Sequence, residues 1–233
     1  MAPTRSSRVA ETPSLVLASS SPRRRELLSG LGVDFASCSV DLDEASIAHG
    51  LDAVAAVTAV AEAKFDAVRD QRLAAATARL VTGDTLVVGP TGIVGKPTDD
   101  EHTRSLLRSY SSESITVVTA LCAGVADRQT LVTTTNVGIV ALTEPMIDDY
   151  IALDVASDKA GALELQGGAS GFISHVDGCW TNVLGMPLCA TAALLGLLPA
   201  PVKCHSRHGE PCREWAPALA NQPQLSDDRQ ING

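Results

Sequence analysis

A short apolar run, Leu15-Val16-Leu17-Ala18, passes directly into Ser19-Ser20-Ser21-Pro22 and then into Arg23-Arg24-Arg25-Glu26-Leu27-Leu28. This order dictates a strand that turns straight into a helix, because Ser21 is a favourable N-cap and Pro22 suits the first helical position. Backbone N–H groups and the positive end of the helix dipole then face one spot at the end of the strand. Arginines in a first helical turn oppose the macrodipole unless an anion lies in front of them, and their forked donors match phosphate oxygens. The same residues also fit a solvated basic turn or a Ser-Pro modification site, so the rest of the chain has to decide.

Bulk properties narrow the choice. With 233 residues and 45% hydrophobic content, the chain can form one sizeable α/β domain or two lobes sharing a core. Only 3% of residues are aromatic, so that core has to be built from Ala, Val, Leu and Ile. A net charge of −9 argues against binding long nucleic acids, whereas a small phosphorylated ligand needs only a local basic pocket. No apolar run approaches the roughly 18 to 20 residues of a membrane span, and no signal-type segment follows the arginines near the N-terminus. The expectation is a cytoplasmic protein with no membrane partner. Six cysteines, Cys38, Cys122, Cys179, Cys189, Cys204 and Cys212, include no CxxC pair and fit reduced thiols. Cys204, His205, His208 and Cys212 lie close together, but their spacing matches no zinc pattern.

Residues 1–13 are polar and residues 199–233 carry five prolines among polar residues, so both read as flexible extensions of a working domain over 14–198. After a helix closed by Gly30 and Gly32, Asp34–Val40 reads as a strand leading to the acidic turn Asp41-Leu42-Asp43-Glu44. A long Ala/Val-rich helix from Leu51 to about Ala78 carries Lys64. Leu80-Val81-Thr82 and Leu86-Val87-Val88 read as a strand interrupted by Gly83-Asp84-Thr85, where a carboxylate is costly without a partner. The turn Gly89-Pro90-Thr91-Gly92 makes a hairpin that puts Lys96 on a loop beside Asp84, and Thr98-x-x-Glu101 reads as the capping box of the next helix. Ile115–Val125 and Thr130–Leu142 read as paired strands, Glu144–Leu153 as a helix, and Pro187–Leu197 as a closing helix after a glycine-rich loop.

The polar residues at element ends are Arg23, Arg24, Glu44, Lys64, Asp84, Lys96, Asp158, Lys159 and Gln166. Cations that grip a polyphosphate, beside carboxylates that hold a divalent metal or activate water, are the parts needed to hydrolyse a phosphoanhydride. Taken singly, Lys64 reads as well as a snorkelling helix lysine, Glu44 as a turn residue and Asp158-Lys159 as a surface ion pair. Asp84, set between apolar strand halves, demands a reason.

The segment Leu17–Leu28 resembles the opening signature of the Maf family of nucleoside triphosphate pyrophosphatases. Asp43-Glu44, Ala63-Lys64, Gly83-Asp84-Thr85, Gly95-Lys96-Pro97, Asp158-Lys159-Ala160-Gly161, Gln166-Gly167 and Asn182–Leu188 follow in the family's order. The resemblance implies an elongated, ITPase-like α/β fold with a mixed central sheet, flanking helices and a cleft between two lobes, commonly as a homodimer. It implies that NTP and water give NMP and pyrophosphate, with Asp84 as proton acceptor and Glu44 and Asp84 holding Mg²⁺ or Mn²⁺. Arg23, Arg24, Lys64 and Lys96 would neutralise the triphosphate, Ser19 and Ser21 would complete its cradle, and Asp158 and Lys159 would also contact substrate.

The Asp-Lys-Ala-Gly segment and Gln166 resemble the branch acting on dTTP and UTP, where Arg23, Thr85 and Gln166 occupy the positions associated with base preference. The Gln166 amide offers a donor and an acceptor, which suit O4 and N3–H of uracil or thymine. The chain departs from the family pattern at Ile115, which replaces a His, at Thr82-Gly83, which replaces Gly-Ala, and at Leu163-Glu164, which replaces Tyr-Gly. Two alternatives therefore stand: a pyrophosphatase for 7-methyl-GTP or another modified nucleotide, and a nucleotide-binding division regulator without turnover. The family's association with septum formation implies a role in pool sanitation or in restraint of division.

Overall fold

Leu15–Ala18 forms β1, buried at every position, as an apolar strand covered on both faces must be. The computed structural model describes residues 14–157, 159–164 and 168–197. Helix α1, Pro22–Ser29, follows with Pro22 in its first turn and with Ser21 as N-cap, its hydroxyl accepting from the Arg24 N–H at 3.3 Å. The chain returns through Gly30 and through Gly32, at φ +70°, to β2, Ala36–Cys38, which lies parallel to β1 and is shorter than the strand expected over 34–40. Helices α2, Glu44–Ala48, and α3, Ala53–Asp70, then carry it to β3, Arg79–Gly89, which pairs parallel with β1 on its other side.

Helix α3 stops well short of Ala78. Arg72 enters the left-handed region at φ 55°, its N–H bonds the Arg69 carbonyl at 3.1 Å, and the Leu73 N–H bonds the Val68 carbonyl at 3.0 Å. This is a Schellman closure with arginine where glycine is usual, so no glycine marks the stop.

Strand β3 also departs from expectation: it runs unbroken through Gly83-Asp84-Thr85. Leu80 to Val88 pair in continuous antiparallel register with Gly124 to Thr116 of β5, Ser114–Gly124. Glycine at 83 permits this pairing, because a Cβ there would lie 2.9 Å from both the Ala120 carbonyl oxygen and Leu121 Cδ2. β4, Gly92–Val94, folds back on the end of β3 as the hairpin pattern requires. β6, Arg128–Ile139, and β7, Ile173–Asp177, extend the sheet antiparallel, giving the order β2-β1-β3-β5-β6-β7 with β4 beside β3. The sheet is mixed, as expected.

Helices α4, Asp100–Tyr110, α5, Glu144–Ile151, α6, Trp180–Val183, and α7, Leu188–Leu195, complete the α/β arrangement. The cap of α4 is Asp99 rather than Thr98, its carboxylate accepting from the His102 N–H at 2.7 Å; a carboxylate one residue on outcompetes the threonine hydroxyl at the dipole's positive end. Small aliphatic residues pack α3 on one face of the sheet, through Val16, Val57, Leu80 and Ala120, and α1 and α7 on the other, through Leu17, Leu28, Val81 and Ala190. A third cluster, with Leu107, Tyr110, Ile115, Ile147 and Tyr150, lies under α4 and α5. No described helix is long and apolar enough to cross a membrane. Among the described residues, Cys38, Cys122, Cys179 and Cys189 form no disulfide. The Cys204–Cys212 cluster and the segments 1–13 and 199–233 lie outside the described residues.

This topology leaves one gap. β1 pairs with β3 only over Arg79 to Val81 and β4 only over Val87 to Gly89, so Thr82–Leu86 presents its edge where β1 ends. Beyond the carboxyl end of β1 the chain leaves for β2 on one side while β3 lies on the other, the switch point at which α/β sheets bind ligands. Because Arg72 bears a left-handed conformation that suits glycine, Arg72→Gly is expected to raise stability by about 1 kcal/mol, read as a higher urea midpoint. A lowered midpoint would show that the arginine side chain holds the turn.

A candidate active-site cleft

The gap opens into a cleft of about 620 Å³. Five cations, Arg23, Arg24, Lys64, Lys96 and Lys159, line it together with three carboxylates, Glu44, Asp84 and Glu164, so the cleft is locally cationic in a chain of net charge −9. Ser19, Ser21 and Thr85 complete the set of sequence-selected residues that converge here. The α1 N-terminus opens into the same space and adds its partial positive charge. Asp158 and Gln166 lie outside the described residues.

Three elements bring the acid pair together. Asp43 caps α2, its carboxylate accepting from the Ser46 N–H at 3.0 Å and from the Ser46 hydroxyl at 2.8 Å; those bonds hold it below the usual carboxylate range and leave Glu44 on the first helical turn. Thr82, whose hydroxyl donates to the Ala61 carbonyl at 2.6 Å, fixes α3 against β3 one turn before Lys64 and two residues before Asp84. The Lys64 ammonium therefore reaches Glu44 Oε1 at 2.8 Å and Asp84 Oδ1 at 3.1 Å. Asp84 and Lys64 are largely buried, each with 12% of its side chain exposed, whereas Glu44 is half exposed at 49%. This answers the question of Asp84's partner.

Arg24 turns away from a purely ligand-facing position. Its guanidinium donates through Nε to the Gly185 carbonyl at 2.9 Å, through Nη1 to the Gly83 carbonyl at 2.8 Å and through Nη2 to Thr85 Oγ1 at 2.8 Å. Burial draws its pKa below the ordinary value, against the opposing pull of the Asp84 and Glu44 carboxylates. Thr85 is in turn hydrogen-bonded to the buried Thr119 hydroxyl at 2.9 Å. Lys96 lines the cleft from the exposed loop after β4, and Ser19 Oγ accepts from the Ser21 N–H at 3.2 Å. The residues that depart from the family pattern, Ile115, Leu163 and Glu164, also line the cleft.

Several contributors escaped the reading of the sequence. Gly185, at φ +94°, supplies a carbonyl to Arg24 from 161 residues away, and Thr119 reaches Thr85 from the neighbouring strand. The run Asn182–Leu188 marked the first of these only as part of a motif; nothing local singled out Thr119. Asn182 itself is buried and donates to the Val117 and Thr133 carbonyls at 3.0 and 3.2 Å, locking this turn against β5 and β6.

Comparison with known proteins gives the chain's relatives. A family described as Maf-like protein matches residues 14–198. The chain belongs to the Maf family. A Pasteurella multocida relative named dTTP/UTP pyrophosphatase is 37% identical over 190 residues, covering 77% of this chain and 92% of its own. A relative of the same name from an Anaeromyxobacter species is 39% identical over 187 residues, covering 78% and 87%. Among solved structures, a HAM1 protein from Coxiella burnetii aligns with a TM-score of 0.43 at 14% identity over 78% of this chain and 98% of that one, a distant likeness that adds nothing to the Maf assignment.

Arg24 is as much a tie as a cation in this Maf cleft. Arg24→Lys is expected to cost about 3 kcal/mol in urea denaturation, because one ammonium cannot replace a fork that satisfies Gly83, Gly185 and Thr85 together. A loss below about 1 kcal/mol would show that the fork is dispensable to folding.

Proposed function

We propose that the protein is a nucleoside triphosphate pyrophosphatase that hydrolyses dTTP and UTP to the monophosphate and pyrophosphate. The observation that carries this reading is the single cleft in which the Asp84–Lys64–Glu44 group meets the α1 N-terminus and a surplus of cations. The names of the Pasteurella and Anaeromyxobacter relatives support the same substrates. Residues 14–198 would form the catalytic domain of a cytoplasmic, homodimeric enzyme that cleans the nucleotide pool or restrains division, with 1–13 and 199–233 as extensions.

In this reading Arg23, Lys96 and Lys159 bind the triphosphate, and Ser19 and Ser21 shape its cradle. Arg24 holds that cradle against β3 and adds its charge at short range. Asp84 accepts the proton of the attacking water, the water oxygen bonds to the α-phosphorus, and the bond to the bridging oxygen of the β-phosphate breaks. The pyrophosphate leaves with the electron pair of that bond, and Lys64 and the cleft cations balance its charge. Asp158 and Gln166 are proposed to contact substrate, with Arg23, Thr85 and Gln166 selecting the base.

The donor set also fits a divalent ion. Glu44 and Asp84 both reach one ammonium nitrogen, so their oxygens converge, and Mg²⁺ is commonly held by one or two carboxylates together with substrate phosphates and water. Among the described residues no group of three or more His, Cys, Asp or Glu side chains gathers, so phosphate and water would have to complete the shell of such an ion. Mg²⁺ or Mn²⁺ bound there would supply further neutralisation of the phosphate oxygens.

A second reading has its own support. Ile115, Leu163 and Glu164 all line the cleft, which favours a shifted base preference, such as 7-methyl-GTP or another modified nucleotide. Pyrophosphate release from dTTP, UTP, CTP, GTP and 7-methyl-GTP separates the two, the first reading requiring dTTP and UTP to be turned over fastest. Asp84→Asn is expected to lower kcat by about 10³-fold while nucleotide still binds, the range set by removing a positioned general base. Unchanged turnover in that variant would remove Asp84 from the chemistry, and binding without turnover in the wild type would make the protein a nucleotide-binding regulator.

A further inference from the structure

The hydroxyls of Tyr110 and Tyr150 take no part in the chemistry above, yet both are directed at one short stretch of the cleft wall. Both residues are buried. Tyr110 donates to the Gly161 carbonyl at 3.2 Å, and Tyr150 donates to the Ala162 carbonyl at 2.9 Å while accepting from the Glu164 N–H at 2.8 Å. The Gly161 N–H bonds the Gly95 carbonyl at 3.0 Å, tying this stretch to the residue before Lys96. Burial pushes the Tyr110 phenol up to about 12, so it remains a donor across the working range of pH.

The backbone here needs such holding. Gly161 lies at φ +70° and Ala162 at φ +58°, the latter a left-handed alanine with no solvent exposure, a conformation that an L residue keeps only when its surroundings impose it. The stretch is also pressed onto β3, since a Cβ on Gly161 would lie 2.9 Å from Val87 Cγ1. Leu163 and Glu164 thereby join the cleft lining beside Val87, Ile115 and Val117. Val87 and Val117 lie three residues along the paired strands from Asp84 and Ala120, about 10 Å at the rise of a strand and so about one nucleoside away from the acid pair.

We infer that Tyr150, assisted by Tyr110, is a positioning residue that shapes the nucleoside end of the cleft. It holds Leu163 and Glu164 against the apolar wall of β3 and β5, so that sugar and base are read there while the phosphates are held at the other end by the Ser19–Arg24 turn. The inference rests on the nucleotide reading, and it predicts that the two ends can be separated. Removing the Tyr150 hydroxyl leaves the Ala162 carbonyl and the Glu164 N–H without a buried partner and frees the wall to move.

Calorimetric titration of wild type, Tyr150→Phe and Tyr110→Phe with α,β-methylene-UTP and with inorganic tripolyphosphate tests it. Tyr150→Phe should weaken binding of the nucleotide analogue roughly tenfold and leave tripolyphosphate within about twofold, and Tyr110→Phe should do the same to a smaller degree. Steady-state UTP hydrolysis should then show a raised KM with kcat retained. Equal losses for both ligands, no loss for either, or a wild type that binds the analogue no better than tripolyphosphate would each overturn the inference. Should Tyr150→Phe fail to fold, Tyr110→Phe, which gives up one hydrogen bond, carries the same comparison. A wild type that releases no pyrophosphate defeats the hydrolase reading, whereas the affinity ratio decides this one independently.

Discussion

A guanidinium cannot be withdrawn from water without partners, and those of Arg24 come from two parts of the chain remote from it in sequence. Its fork joins the α1 turn to the Gly83 carbonyl and Thr85 hydroxyl on β3 and to the Gly185 carbonyl before α7. Three charge-assisted hydrogen bonds offset its desolvation, and the charges of Asp84 and Glu44 act in the same direction. The cation thus fixes the floor, one wall and the turn that opens the cleft.

Charge balance gives the cleft two tiers. Arg24, Lys64, Asp84 and Glu44 form a group with equal numbers of positive and negative charges, in which each largely buried member meets its counter-charge nearby. Arg23 and Lys96 stand outside that balanced group and add positive charge to the cleft, which Lys159 and the remaining carboxylate, Glu164, also line. An arriving polyphosphate can be met by the outer cations before the inner group has to rearrange. Lys64 has three N–H donors and commits two of them to the carboxylates, so its charge can be shared with a ligand without abandoning both.

Much of the cleft was legible because its signals are local. Ser21, Pro22 and three arginines after a buried strand specify a helix start suited to an anion, and that start lines the cleft. Asp84 was legible as an acid needing a partner, although its partner Lys64, and Glu44 on the same ammonium, were suggested by motif and family pattern rather than by any pairing rule. What stayed hidden depends on contacts across the sheet or on an unusual residue in a familiar role. The unbroken pairing of β3 rests on β5, some 35 residues onward, which no local pattern around Gly83 reveals. The α3 stop uses an arginine in a glycine's place, and the α4 cap shifts by one residue to a better acceptor. The sequence carries no local signal for the tyrosines that hold the Gly161–Glu164 stretch, since only the partners of their hydroxyls set them apart from ordinary core aromatics.

The mixed sheet itself follows from what the cleft must do. Neighbouring residues of a strand point to opposite faces, so Asp84 meets Lys64 on the α3 side while Thr85 meets Arg24 and Thr119 on the other. A closed sheet would keep those two residues apart, and no single small ligand could touch both. Here β1 ends at Ala18 and β4 pairs only from Val87 onward, so the cleft wraps the edge left without a paired strand between them and both faces contribute to one space. A long strand with an open edge needs full support from its other side, which a short parallel crossover cannot provide. The antiparallel β5 supplies it across nine consecutive register pairs, and so the change from parallel to antiparallel pairing falls at the strand that carries Asp84.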